Sequence, residues 1–153
     1  MYLVDTNVLL RFVDTSNQDH KAAQNVVLFV QQQGQKLCIS SQNCVEFWNV
    51  MTRPKVNNGF GFSTSHAEQA LEQVERPFTV ITESAATYRQ WRKLVIQYGV
   101  SGVQVHDARL VATMLVLRLR YILTFNSKDF VRYNPSGIIA IDPLQFRVEK
   151  NND

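Results

Sequence analysis

Short apolar runs alternate along this chain with longer stretches in which apolar residues recur at helical spacing. Tyr2-Leu3-Val4, Lys36-Leu37-Cys38-Ile39, Phe78-Thr79-Val80-Ile81, Tyr121-Ile122-Leu123-Thr124 and the stretch from Gly137 to Ile141 read as strands. Their brevity and near-continuous apolar character suit strands covered on both faces. After the first of them the pattern predicts a turn or two of helix from Val8. His20 to Gln33 carries Ala22, Ala23, Val26, Val27 and Val30 on one helical face, with Asp19 as the expected N-cap and Gly34 as the stop. Ser40-Ser41 caps a helix through Val45, Phe47, Trp48 and Met51, which ends before Arg53-Pro54.

Asn57-Asn58-Gly59-Phe60-Gly61-Phe62 has no periodicity and reads as a loop. Ser63 or Thr64 caps the next helix, to about Glu75, and Pro77 ends it. A further helix spans about Ser84 to Tyr98, with Tyr88, Trp91, Leu94 and Val95 on one face. His106 to Arg118 is apolar nearly all round, the mark of a central buried helix. Strands alternating with helices predict an α/β domain with a mostly parallel sheet. In such sheets ligands bind beyond the carboxyl ends of the strands.

The length of 153 residues suits one domain with a real core. No repeat, linker or low-complexity segment divides it, so residues 1–146 are expected to form the domain and 147–153 a polar tail, the part after Pro143 being peripheral. At 45% hydrophobic and 19% charged residues the chain is not of the disordered class. A net charge of +3 is compatible with a nucleic-acid partner without requiring one. Cys38 and Cys44 read as thiols in a reducing compartment, and they form no zinc spacing with His20, His66 and His106. The N-terminus lacks a basic flank, and the most apolar stretch, Leu110 to Leu123, is interrupted by Arg118 and Arg120. A cytoplasmic protein with no membrane segment is expected.

Most of the 13 acidic residues have ordinary surroundings; four do not. Asp5 ends the first strand, Glu46 sits in the apolar setting Cys44-Val45-Glu46-Phe47-Trp48, Asp107 opens the most apolar helix, and Asp129 follows the fourth strand. Each belongs to a different βα unit, and each falls on the edge that a parallel sheet makes common to all. Carboxylates converging there would repel one another and raise one another's pKa. A hard cation removes that repulsion, and an all-oxygen donor set favours Mg²⁺ or Mn²⁺ over zinc. Taken singly, each acid also has a structural explanation. Asp5 and Asp107 could cap helices, Glu46 could pair with Arg53, and Asp129 could cap a turn.

These residues fall into an ordered set that resembles the PIN-domain ribonucleases. Leu3-Val4-Asp5-Thr6-Asn7-Val8-Leu9 is similar to the family's opening motif, and Val45-Glu46-Phe47-Trp48-Asn49-Val50-Met51-Thr52-Arg53-Pro54 to its second. Val105-His106-Asp107-Ala108-Arg109-Leu110-Val111-Ala112 resembles the third, and Ile122-Leu123-Thr124-Phe125-Asn126-Ser127-Lys128-Asp129-Phe130 the fourth. The resemblance implies a three-layer αβα sandwich and Mg²⁺- or Mn²⁺-dependent cleavage of RNA. By size it points to the VapC-like toxins of toxin–antitoxin pairs, which dimerise and are blocked by an antitoxin. Asp5, Glu46 and Asp107 match the three core acids. Many relatives have an acid at Asn126, so Asn126, Asp129 or both supply the fourth position. Thr6, Asn7 and Thr124 would support the ligand carboxylates, while a water activated by the metal attacks phosphorus and leaves a 5′-phosphate and a 3′-hydroxyl.

Arg11, Arg53, Lys55, Lys128 and Arg132 lie near these motifs and are expected to meet RNA phosphates, with Phe60 and Phe62 as possible stacking platforms. Two rival readings stand beside this one. His106-Asp107 is also found in helical HD-type phosphohydrolases, which need further histidines; His66 is the available partner. Asn126 leaves room for a PIN-like RNA-binding or scaffold module with a weak or inactive pocket.

Overall fold

The computed structural model describes residues 1–146; the expected polar tail at 147–153 lies outside the described residues. Five parallel strands, β1 (Tyr2–Val4), β2 (Leu37–Ser40), β3 (Thr79–Ile81), β4 (Tyr121–Leu123) and β5 (Ile139–Ile141), form one sheet in the order β3-β2-β1-β4-β5. β1 pairs with β2 through Tyr2↔Leu37 and with β4 through Leu3↔Ile122 and Val4↔Leu123. The chain therefore builds outward from β1 on one side, returns, and builds outward on the other. The reversal point between β1 and β4 is where open α/β sheets place their ligands.

Around the sheet lie α1 (Thr6–Val13), α2 (His20–Gln32), α3 (Ser41–Thr52), α4 (Thr64–Glu75), α5 (Ala85–Gln97), α6 (Val105–Val116) and α7 (Ser127–Phe130). Successive strand residues face opposite sides of a sheet, and the two cores follow that alternation. Val4, Leu37, Ile39 and Leu123 pack with residues of α1 to α4, including Val8, Val26, Phe47 and Val74. Leu3, Cys38 and Ile122 pack with Leu94 of α5, Val111 and Met114 of α6 and Phe130 of α7. The result is the expected three-layer αβα sandwich. It also answers the all-helical HD reading, and His66, on α4, stacks edge-on against Phe62 instead of joining His106.

Several local expectations are corrected. α1 starts at Thr6, two residues before Val8, because Asp5 caps it. Asp19 makes no side-chain cap bond to α2; its carboxylate takes the Arg11 guanidinium at 3.3 Å. α7 and the 3₁₀ segment Val131–Ser136 were not visible in a polar stretch that contains Pro135. The chain after Pro143 is less peripheral than expected, since Phe146 packs edge-on against Phe29, 4.7 Å between ring centres. Phe60 packs against the first core and Phe62 is 40% exposed, so the loop does not offer two free rings for stacking.

Candidate functional site

Helix α1 begins directly at the carboxyl end of β1, so Asp5 is both the last residue before the helix and its N-cap. Its Oδ1 accepts from the Thr6 backbone N–H at 2.7 Å. Its Oδ2 accepts from Asn7 Nδ2 at 2.7 Å and from Thr124 Oγ1 at 2.7 Å. Asn7 also donates to Thr124 Oγ1 and accepts from the Phe125 N–H at 3.0 Å, which ties α1 to the end of β4 across the strand reversal. The Asn126 N–H donates to Thr124 Oγ1 at 3.0 Å. The Thr6 N–H and the side chains of Asn7 and Thr124 thus hold the Asp5 carboxylate.

Glu46 arrives from α3. It does not pair with Arg53, whose Nη2 donates to the Asn58 carbonyl. Thr6 Oγ1 donates to Glu46 Oε2 at 2.6 Å, and Gln42 Nε2 donates to Glu46 Oε1 at 2.7 Å. Gln42 also donates to the His106 carbonyl at 3.0 Å, fastening α3 to the first turn of α6. Behind Thr6, Asn43 Nδ2 donates to its hydroxyl, and Asn43 Oδ1 accepts from both the N–H and the hydroxyl of Ser40. Sequence reasoning missed Gln42 and Asn43. The signal was present, because Gln42 lies four residues before Glu46 on the same helical face.

Asp107 stands in the first turn of α6 but makes no cap bond; Gln104 holds the N-cap position. Asp5, Glu46, Asp107 and Asn126 line one open cleft of about 550 Å³, with Leu10 and Val45 on its rim. Asp129 lines the adjoining recess with Lys128 and Asp142. Its charge nevertheless reaches Asp107. Burial pushes the Asp107 carboxyl up to about 6, with Asp129 and Glu46 raising it further and Arg132 opposing them. Asn126 lines both the cleft and the recess, and Asp129 acts on Asp107 from the recess. Burial likewise pushes Asp5 up to about 6, held back by the Thr124 and Thr6 hydrogen bonds and reinforced by Asp107 and Glu46.

Among the described residues, ion pairs join Arg11 to Asp19 and Arg109 to Glu83, and none neutralises these acids. Of the basic residues expected near RNA, Arg11 is already engaged by Asp19, by the Asn7 carbonyl and by the face of Phe125 at 4.3 Å. Arg132 is held by Gln104, while Lys55 and Lys128 are exposed. Among the described residues no group of three histidine, cysteine, aspartate or glutamate side chains is placed to hold a metal ion together. Mg²⁺ needs none, since it keeps several waters and takes one or two carboxylates. A carboxylate has about four acceptor positions; Asp5 has three filled, and Asp107 meets no donor from another side chain among the described residues. The oxygen-only donors and uncompensated charge fit a hard divalent cation.

Solved structures similar over nearly the whole chain share this architecture. A toxin–antitoxin complex from Klebsiella pneumoniae matches with 23% identity and a TM-score of 0.63, covering 97% of this chain and 100% of that one. The VapBC-1 complex of nontypeable Haemophilus influenzae matches with 16% identity and a TM-score of 0.68, covering 94% and 98%. VapC20 of Mycobacterium tuberculosis, described as a sarcin–ricin loop cleaving toxin, matches with 14% identity and a TM-score of 0.66, covering 91% and 97%. No curated protein matches the sequence. The PIN domain family model matches residues 2–134, from the strand that carries Asp5 past the segment that carries Asp129, and the chain therefore belongs to the PIN domain family.

Proposed function

We propose that residues 1–146 form a single nuclease domain that hydrolyses RNA phosphodiester bonds with Mg²⁺ or Mn²⁺. The observation that carries this reading is the convergence of Asp5, Glu46 and Asp107, without a basic partner, at the strand reversal of the sheet. Asp5 and Asp107 would hold the cation, with Asn126 and Asp129 at the fourth corner. The bound metal would supply an activated water and neutralise charge on the scissile phosphate. Glu46, held at both oxygens by Thr6 and Gln42, would accept the proton released by the attacking water. Attack at phosphorus with departure of the 3′-oxygen would give a 5′-phosphate and a 3′-hydroxyl. Lys55, Lys128, Arg53 and Arg132 are the bases left to meet the RNA backbone, with Arg11 acting mainly within the fold.

The relatives found as toxin–antitoxin complexes support a toxin role, with a cognate antitoxin as partner. A homodimer working in the cytoplasm completes the proposal. Among the described residues no helix is long and apolar enough to cross a membrane. End-labelled RNA tests the chemistry. Asp5→Asn and Asp107→Asn proteins, folded by circular dichroism, should cut no better than buffer, and EDTA should silence the parent protein. Full cleavage by the folded variants, or in EDTA, would sink the metal mechanism. Asn126 in the cleft favours the second reading, a weak or inactive RNA-binding module; retained RNA binding without metal-dependent cleavage would select it.

A further inference from the structure

Beside the carboxylate cleft, between α5 and α6, lies a separate hollow of about 330 Å³ whose chemistry the proposed cleavage does not use. Tyr88 and Trp91 form one wall, ring centres 5.9 Å apart and planes 29° from parallel. Trp91 is fixed, since its Nε1 donates to the Val105 carbonyl at 3.0 Å. Tyr88 is 59% exposed, an unusual position for a ring of that size. The polar rim is Arg109, whose guanidinium is clamped by Glu83 at 2.7 Å, together with His106.

The hollow adjoins the candidate site. His106 lines both it and the carboxylate cleft. A smaller recess of about 170 Å³, lined in part by Gln42, shares Glu46 and His106 with the cleft and His106 and Arg109 with the hollow. The Oε1 of Gln42 is buried beside it without a hydrogen-bond partner. The shared linings thus run from acidic residues suited to a phosphate-bound cation, past an amide and an imidazole, to an aromatic wall anchored by Trp91. That order matches one nucleotide of a single strand, phosphate first and base last. Aromatic rings take unpaired bases by stacking, whatever the base. The volume lies at the small end of ligand pockets and suits one base with its sugar.

Resting on the nuclease reading, we propose that the Tyr88–Trp91 hollow is a subsite for an unpaired base next to the scissile phosphate. The test uses fluorescein-labelled A12, U12 and an abasic 12-mer, with anisotropy measured in EDTA so that nothing is cut, and cleavage of A12 and U12 then followed in Mg²⁺. The parent protein should bind A12 and U12 more tightly than the abasic strand. Tyr88→Ala should lose about tenfold in affinity for the base-bearing strands and bind the abasic strand unchanged. Tyr88→Phe should restore the affinity, and in Mg²⁺ the loss should appear in KM with kcat kept. Equal affinity of Tyr88→Ala and the parent for A12 and for U12 overturns the subsite while leaving the nuclease intact. A parent that binds bases through Tyr88 yet cuts nothing retains the subsite and removes the nuclease. A change of oligomeric state by light scattering in Tyr88→Ala, with RNA affinity unaltered, makes the hollow a protein contact and overturns the proposal.

Discussion

Replacing Asp5 by asparagine separates the charge of this side chain from its shape. Asp5 is 7% exposed, and its carboxyl is moved from the ordinary 3.8 to about 6. At ~1.4 kcal/mol per pH unit, keeping it ionised inside the metal-free fold costs about 3 kcal/mol. The folded pKa lies above the unfolded one, so this group's favourable contribution is complete below about pH 3.8 and is lost as pH rises through about 6. Asparagine does not titrate and escapes that loss. It has one acceptor oxygen for the three donors that meet Asp5, so at least one donor goes unmet, at roughly 1 kcal/mol at every pH. Asp5→Asn should therefore be about 1 kcal/mol less stable than the parent near pH 4 and about 2 kcal/mol more stable near pH 7.5. Urea unfolding of both proteins in EDTA at the two pH values measures the difference, and titrating groups other than the coupled Asp107 and Glu46 cancel. Saturating Mg²⁺ at pH 7.5 should then raise the melting temperature of the parent and not of the variant. Parallel stability profiles, or equal stabilisation of both by Mg²⁺, would refute the account of Asp5 as a buried, unpaired ligand.

Thr124→Val removes a donor from Asp5 and the acceptor used by Asn7 and Asn126, while keeping the volume of the side chain. It should push the Asp5 carboxyl higher still and cost about 1–2 kcal/mol in chemical denaturation at neutral pH. Gln42→Leu frees Glu46 from one of its two restraints and should lower kcat on RNA by about tenfold or more, with the fold intact by circular dichroism. Gly59→Ala would bring a Cβ within 2.0 Å of the Arg53 carbonyl oxygen, so it should cost several kcal/mol, roughly 3 or more, and show as a much lower melting temperature. Burial pushes the Cys38 thiol up to about 11, so a thiol reagent should modify half-buried Cys44 first and Cys38 only on unfolding.

The sequence by itself determined the strands, most helix boundaries and the three acids that line the cleft. These are local or periodic properties: a strand buried on both faces must be apolar throughout, and Ser40, Ser63 and Pro77 mark ends through their own backbone chemistry. Asp5 was legible because a carboxylate at the end of Tyr2-Leu3-Val4 has no solvent of its own. Tertiary structure alone decided who serves whom. That Thr124 holds Asp5 depends on β4 returning to pair with β1 across 119 positions. That Glu46 is gripped by Thr6 and Gln42, and not by Arg53, depends on how α3 docks beside α1 and α6. The fourth corner shows the limit most plainly. Asn126 and Asp129 lie three residues apart with similar prospects in sequence; Asn126, at the cap of the unexpected short helix α7, lines both the cleft and its flank, and Asp129, within α7, lines the flank alone. Chain pattern reports what each residue needs, while contacts between distant segments, closed only on folding, decide which neighbour meets that need.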